Sequence, residues 1–140
     1  MGKIKYRGID SLIGDVHDLA ELPDTVIAEM LEAEADVLVA AQQRAAIKAW
    51  KGPYASGETA RSIKKGRVKK NGIKTSISIF PHGKNKCGER NSDVAFINEY
   101  GSRNHQRARP AIRIACIDKE KAVIEAGEKV YNDYLNSKKL

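Results

Sequence analysis

The fold of this chain is decided by residues Val94–Ile112, which read VAFINEYGSRNHQRARPAI. Apolar residues lead into Glu99, and the element that they form must end near Gly101, because glycine readily takes the left-handed conformation that closes a helix or a tight turn. Pro110 fits the first position of a following helix. The stretch therefore predicts a corner between two elements, joined by a loop of about eight residues.

The loop at this corner is basic and has no acidic residue after Glu99. An arginine fork suits bidentate pairing with a carboxylate, so Glu99 and Arg109 are predicted to meet across the corner. We interpret four residues as the structural corner: Glu99, Gly101, Arg109 and Pro110. Three further residues are interpreted as a contact surface for a neighbouring protein or DNA: Arg103, His105 and Arg107.

The length of 140 residues predicts a single domain, 1–140. Apolar residues make up 41% and charged residues 31%, as in soluble globular proteins. No apolar run is long enough to cross a bilayer, so no membrane association is expected. The amino terminus lacks the apolar region of a secretory signal, and a cytoplasm-like compartment is expected.

Charge is distributed unevenly along the chain, whose net charge is +7. Residues 1–36 carry three basic and nine acidic side chains, residues 44–113 carry seventeen and four, and residues 114–140 carry five of each. Blocks of opposite sign suit head-to-tail packing of identical subunits. The alternative interpretation is a solvated surface with uneven charge.

Two helices are predicted in the first third of the chain. Apolar residues spaced three and four apart predict a short helix over Ile9–Ala20. A long helix is predicted over about 23–50, since this range has no glycine, has proline only in its first turn, and is rich in Ala, Glu, Leu and Gln. At about 40 Å it is long for one small domain, so part of it is expected to contact a neighbour.

A β-hairpin is predicted over about 62–80. Asn71-Gly72 favours a two-residue type I′ turn, and Ile73, Thr75, Ile77 and Ile79 then alternate with polar residues as in a strand with one buried face. Gly66 interrupts the first strand and predicts a bulge or a close backbone approach.

The second half of the chain predicts an exposed loop, 81–92, then a strand and corner, 93–109, and a last helix over 110–135. Asp93–Phe96 is the third strand, and residues 97–100 either continue it or form one helical turn. The fold class is therefore α+β: a small antiparallel sheet, made of the hairpin plus a third strand, packed against two long helices, with a short N-terminal helix.

The sequence contains no pattern that predicts catalysis. No phosphate-binding glycine loop, nucleophile elbow or zinc-binding helix motif is present. The candidate metal ligands His82, Cys87, His105 and Cys116 lack the paired short spacings of structural zinc sites. We therefore expect no enzyme activity, no small-molecule substrate, no cofactor and no metal.

Basic residues are concentrated on the hairpin and the loop that follows it. The candidate interaction surface combines these residues with the corner loop: Lys64, Lys65, Arg67, Lys69, Lys70, Lys84, Lys86, Arg90, Arg103, His105 and Arg107. Such a surface could follow phosphates, but aromatic stacking partners are scarce and no DNA-binding motif is present. A module that binds nucleic acid without sequence specificity is thus the alternative function.

Three segments in order resemble a family of small proteins of tailed bacteriophages, the tail-completion or head–tail joining type, described as minor tail or neck components. The segments are Ser56–Ile63 (SGETARSI), Val94–Ser102 (VAFINEYGS) and Ala108–Ala111 (ARPA). Their order and spacing match over roughly residues 20–135. This chain departs from the family where Thr59 or Ala60 replaces a usual leucine and Ala111 a usual phenylalanine.

The resemblance implies a non-enzymatic structural subunit of the virion, assembled in the host cytoplasm. It implies a homo-oligomeric ring that docks on other head–tail or tail proteins where packaged DNA passes. Because a fold is shared by proteins of unrelated function, these implications are expectations.

Overall fold

The computed structural model describes residues 22–51, 57–103 and 106–138. The predicted helix Ile9–Ala20 and the contact residue His105 lie outside these ranges. Nine elements are described: α1 (Asp24–Ala49), α2 (Glu58–Arg61), β1 (Ile63–Lys65), β2 (Lys69–Asn71), β3 (Lys74–Ser76), β4 (Ile79–Pro81), α3 (Asn91–Tyr100), α4 (Ile112–Asp118) and α5 (Glu120–Lys138). The predicted α+β class is confirmed.

Helix α1 is the central helix of the described fold, and its predicted range is confirmed to within a residue at each end. It begins after Pro23, whose carbonyl accepts hydrogen bonds from the N–H groups of Val26 and Ile27. Its buried residues include Met30, Leu38 and Ala46. Together with the other buried residues of the helix they recur at spacings of three and four, so one broad stripe of the helix lies in the core.

The last two helices lie antiparallel to α1. Gln42 contacts Cys116 near one end, with Nε2 3.4 Å from Sγ, and Met30 shares a buried cluster with Tyr131 near the other. Rising numbers on α5 therefore match falling numbers on α1. Among the described elements, α1 and α5 pack against each other most extensively.

The single helix predicted over 110–135 is divided. It begins at Ile112 rather than at Pro110, and it is interrupted at Lys119, which has φ −108° and ψ 9°. Backbone hydrogen bonds continue across the interruption, from the N–H of Lys119 to Ala115 O and from the N–H of Val123 to Lys119 O. The interruption is thus a local change in backbone conformation between two hydrogen-bonded helices.

The predicted hairpin forms two short antiparallel ladders. Strand β1 pairs with β4, and β2 pairs with β3. Between the ladders, three residues, 66–68, oppose two residues, 77 and 78, which makes a bulge in the first strand. Gly66 lies in this bulge and donates its N–H to Ser78 O at 2.7 Å, as the predicted close backbone approach requires.

The predicted turn type is wrong. Asn71 pairs with Lys74, so Gly72 and Ile73 are the two turn residues. Among the described residues only glycines have positive φ, and Gly72 has φ 65°. A type I′ turn centred on Asn71-Gly72 needs positive φ at Asn71, whereas glycine at the first central position is typical of type II′. Ile73, which was predicted to face the core, is consequently fully exposed at the tip.

The hairpin lies along α1. Gln43 Nε2 donates to Ile63 O at 2.7 Å, Lys65 Nζ lies 2.8 Å from Asp36, and Lys70 Nζ lies 2.8 Å from Asp24. Twelve helical residues from Asp24 to Asp36 rise about 18 Å. Lys65 and Lys70 lie opposite Ile79 and Thr75, four strand residues apart, which is about 14 Å. The long lysine side chains span the remaining difference, so both reach an aspartate.

The predicted third strand, Asp93–Phe96, is wrong because this segment lies in helix α3. The buried residues of the segment are Asn91, Ala95 and Glu99, which are spaced four apart. Such a spacing places side chains on one face of a helix, whereas a strand would bury alternate residues. The sheet therefore has no third strand in the described part of the chain.

Residues 82–90 of the predicted loop 81–92 form an exposed, hydrogen-bonded turn. Asn85 Oδ1 accepts hydrogen bonds from the N–H groups of Cys87 and Glu89, both at 3.0 Å. The turn ends at the buried Asn91, which donates its side-chain amide to His82 O at 2.8 Å. The loop is thus held at its base while Lys84, Lys86 and Arg90 remain exposed.

Candidate functional site

The corner between α3 and α4 is held by the carboxylate of Glu99. Glu99 is buried, and its two oxygens accept hydrogen bonds from the backbone N–H groups of Ala111, Ile112 and Arg113 at 2.9, 3.0 and 3.0 Å. The first N–H groups of a helix have no partner within the helix and attract negative charge. Glu99 therefore caps α4 from the preceding helix and fixes where α4 begins.

The predicted Glu99–Arg109 pair is wrong. Arg109 instead donates from Nη2 to Asn98 Oδ1 at 2.8 Å and from Nη1 to Lys51 O at 2.6 Å. Its own N–H donates to Asn98 O, and its carbonyl accepts the indole N–H of Trp50 at 2.9 Å. Both carboxylate oxygens of Glu99 accept hydrogen bonds from backbone N–H groups at the start of α4. Arg109 instead connects α3 to the end of α1.

Asn98 was not identified from the sequence, although it is the central acceptor of the corner. Its side-chain oxygen accepts from Gln106 Nε2 at 2.6 Å as well as from Arg109. The available signal was a polar side chain in the last turn of an apolar segment, next to Glu99. Asparagine has the side-chain donors and acceptor that a loop needs to be fastened to a helix end.

Gly101 is required at this corner. It has φ 80°, and a Cβ atom there would lie 2.7 Å from Gln106 O and 2.8 Å from Ala108 N.

We expect Gly101→Ala to lower the free energy of unfolding by about 1–3 kcal/mol, because alanine disfavours a positive φ and its Cβ would overlap the backbone. Chemical denaturation measures the change. Gly83→Ala, which also has positive φ but meets nothing within 4 Å, isolates the overlap, and equal losses in the two variants would contradict the packing argument.

The second family-like segment places an apolar surface on the outside of α3. Phe96, Ile97 and Tyr100 are 62%, 44% and 65% exposed, on the side away from buried Ala95 and Glu99. The rings of Phe96 and Tyr100 contact each other, with centroids 4.8 Å apart. We call Phe96, Ile97 and Tyr100 the α3 outer face. Beyond the corner, Ile114 and Ile117 of α4 are also exposed.

The first family-like segment supports α3 from behind. Thr59 Oγ1 donates to Asn91 Oδ1 at 3.1 Å, and Ala60 is buried in the core. Thr59 and Ala60, one of which stands where the family has a leucine, thus form a hydrogen bond and a core contact in this chain. Ser56 of this segment lies outside the described residues.

The basic candidate residues occupy separate parts of the surface. Lys65 and Lys70 pair with α1, while Lys64, Arg67 and Lys69 are exposed on the hairpin. Exposed loop residues complete the set: Lys84, Lys86, Arg90, Arg103 and Arg107. Pairing therefore separates Lys65 and Lys70 from the other described residues of the set, which are exposed. The two hairpin ion pairs also join acidic and basic blocks within one chain, so part of the complementarity expected between subunits is used internally.

Glu34 is a buried carboxyl group that the sequence did not single out. It is 0% exposed, and neither oxygen has a hydrogen-bond partner among the described residues. It lies against Gly127 of α5. Burial raises its pKa from 4.5 to about 8, because a charged carboxylate loses its hydration in the core. Glu34 lies four residues after Met30 and four before Leu38, so its position on the apolar side of the helix could have been read from the sequence.

The raised pKa makes stability depend on pH. Between about pH 4.5 and 8 the folded state holds a proton on Glu34 that the unfolded state has lost, so this group lowers stability as pH rises through that window. We expect Glu34→Gln to remove a loss on the order of 4 kcal/mol. Thermal melts at pH 5 and pH 8 check this prediction. The wild type should lose stability relative to Glu34→Gln as the pH rises from 5 to 8. A stability difference that is the same at both pH values would contradict a neutral Glu34 in the folded protein.

The remaining surface carries few features of a chemical site. Within residues 22–51, 57–103 and 106–138, no three His, Cys, Asp or Glu side chains come together as metal ligands. A surface depression is lined by residues of α5 alone: Glu120, Lys121, Ile124, Glu125 and Glu128. None of the described helices combines the length and apolar character needed to cross a membrane.

Comparison with known protein families, with curated proteins and with solved structures found no match to this chain.

Proposed function

We propose that this protein is a non-enzymatic structural subunit of a tailed-phage virion. It acts in head–tail joining or tail completion by associating with itself, as a ring, and by docking on neighbouring neck or tail proteins. The proposal rests on the sequence resemblance and on one structural observation, which is the α3 outer face. Phe96 and Tyr100 expose most of their surface on a helix whose opposite side is buried at Asn91, Ala95 and Glu99.

Large exposed apolar side chains that contact each other mark interaction surfaces on soluble proteins. Aromatic residues are also enriched at the centres of protein interfaces, where they contribute much of the binding energy. The α3 outer face has this composition. Because Glu99 and Asn98 fasten the inner side of the same helix to α4 and to the corner loop, the face is held on a fixed support. A fixed interface loses less entropy when it binds.

Sedimentation velocity over a concentration series, with and without candidate neck proteins, tests the proposal. We expect the wild type to assemble and a Phe96→Ser/Tyr100→Ser variant to remain monomeric. Ile73→Ser is the control, since it removes an even more exposed apolar side chain, from the hairpin tip. A wild-type protein that stays monomeric at every concentration and binds no virion protein would refute the proposal.

A further inference from the structure

Strand alternation divides the cations of the hairpin between two faces. The inner face contains the buried residues Ile63, Ile77 and Ile79 and the two lysines that pair with α1, which are Lys65 and Lys70. Lys64 and Lys69 point the other way, because successive side chains of a strand alternate, and Arg67 is exposed while its neighbour Val68 packs against the core. The bulge at residues 66–68 adds one residue to the first strand, so Lys65 and Lys70 lie on the same face although they are five positions apart.

The opposite face is basic and exposed. It carries Lys64, Arg67 and Lys69, all exposed, and Phe80, which is 38% exposed and lies opposite Lys64 in the ladder. No acidic residue occurs between positions 62 and 80. We call Lys64, Arg67, Lys69 and Phe80 the ribbon outer face. Its three cations are not among the described ion pairs with α1.

We propose that the ribbon outer face binds the phosphate backbone of duplex DNA without sequence preference. Lys64 and Lys69 lie opposite Phe80 and Ser76, four strand residues apart, which is about 14 Å, a length over which duplex DNA carries about eight phosphate charges. Three cations over that length can each approach a phosphate. This activity goes beyond the proposed assembly role, because it uses a different surface and a different partner.

Buried packing holds the outer face in place, because the inner-face residues Ile63, Ile77 and Ile79 lie in the core. Lys65 and Lys70 add exposed ion pairs with Asp36 and Asp24. Gln43 adds a hydrogen bond to Ile63 O at the base. The ribbon is thereby held against α1, and its outer cations can contact DNA without rearrangement of the chain.

Duplex DNA fits the face better than a single strand does. Binding of single strands relies on several aromatic side chains on which successive bases stack. The ribbon outer face has one aromatic residue, Phe80, and its ring already contacts His82 with centroids 3.9 Å apart. Cations along a rigid β-ribbon instead suit contacts with a regular phosphate backbone.

Fluorescence anisotropy of a labelled 30-base-pair duplex, titrated with protein at salt concentrations from about 50 to 200 mM, tests this proposal. Two variants carry the same change in charge on opposite faces: Lys64→Gln/Lys69→Gln on the outer face and Lys65→Gln/Lys70→Gln on the inner face. Thermal melts verify that both fold, as expected because exposed ion pairs contribute little to stability.

We expect the outer variant to reduce the slope of log affinity against log salt by about 2 and to weaken binding at least about tenfold at 50 mM salt, for all sequences alike. The inner variant should leave the slope nearly unchanged. Equal losses in both variants, an unchanged outer variant, or no wild-type binding at 50 mM salt would each overturn the proposal. So would binding to vesicles of anionic phospholipid in place of the duplex. Self-association without DNA is measured separately, so either proposal can fail alone.

Discussion

Replacing Glu99 with alanine is expected to lower the free energy of unfolding by about 2–3 kcal/mol. The carboxylate accepts three backbone N–H groups, those of Ala111, Ile112 and Arg113. Loss of an N-terminal cap costs about 1 kcal/mol, and donors left buried without a partner add to that cost. Ala111 is buried, so water cannot readily replace the lost acceptor there.

Chemical denaturation of Glu99→Ala, Glu99→Gln and Asp93→Ala measures this effect. Glutamine keeps one acceptor oxygen and should show an intermediate loss. Asp93 is an exposed acidic residue in the first turn of the same helix, so its removal should cost less than about 1 kcal/mol. If Glu99→Ala were no less stable than Asp93→Ala, the capping role would be contradicted.

Gly127→Ala is expected to destabilise the protein by about 1–3 kcal/mol, although alanine is the better helix former. A Cβ atom at this position would overlap Glu34 Oε1 and crowd the rest of that carboxyl group. Glu34 is fully buried between the two long helices, so it has little room to move. The clash therefore outweighs the gain of about 1 kcal/mol in helix propensity.

A double-mutant cycle isolates this contact. In a Glu34→Ala background the carboxyl group is gone, and Gly127→Ala should become neutral or stabilising by up to about 1 kcal/mol. In a Glu34→Gln background the amide fills the same space, and the loss should persist. Free energies of unfolding from denaturant titrations supply the comparison, and an identical effect of Gly127→Ala in all three backgrounds would show that Glu34 and Gly127 do not interact.

Elements with long or strongly local signals were predictable from the sequence. Helix α1 has a continuous helix-forming composition, and its range was predicted closely. The hairpin followed from alternation around Asn71-Gly72, and the bulge followed from Gly66. These signals lie within a few residues of the structure that they determine, so no distant contact was needed to interpret them.

Features that depend on distant contacts were not predictable in the same way. Residues 93–96 are too few to separate strand from helix, and only the burial of Asn91, Ala95 and Glu99 along one face decides for helix. Glu99 and Arg109 have complementary charges, but unpaired N–H groups at the start of α4 are better placed for the carboxylate. Sequence spacing does not reveal such competition between partners.

The burial of Glu34 shows the same limit. A glutamate in a helix is ordinarily assigned to the solvated face. Its burial depends on Gly127, which is 93 positions away in the chain and has no side chain to fill the space. The helical spacing of Met30, Glu34 and Leu38 was visible, but the helix that covers them was not.

Quantitative mass spectrometry of purified particles tests the central claim most directly. The proposed role requires that the genome encoding this chain produce tailed-phage particles, and these would be prepared once with the wild-type gene and once with Phe96→Ser/Tyr100→Ser. We predict that wild-type particles contain the protein in a fixed ratio to their other structural proteins, and that the variant protein is lost from complete particles. Wild-type particles that contain none of this protein would contradict the account.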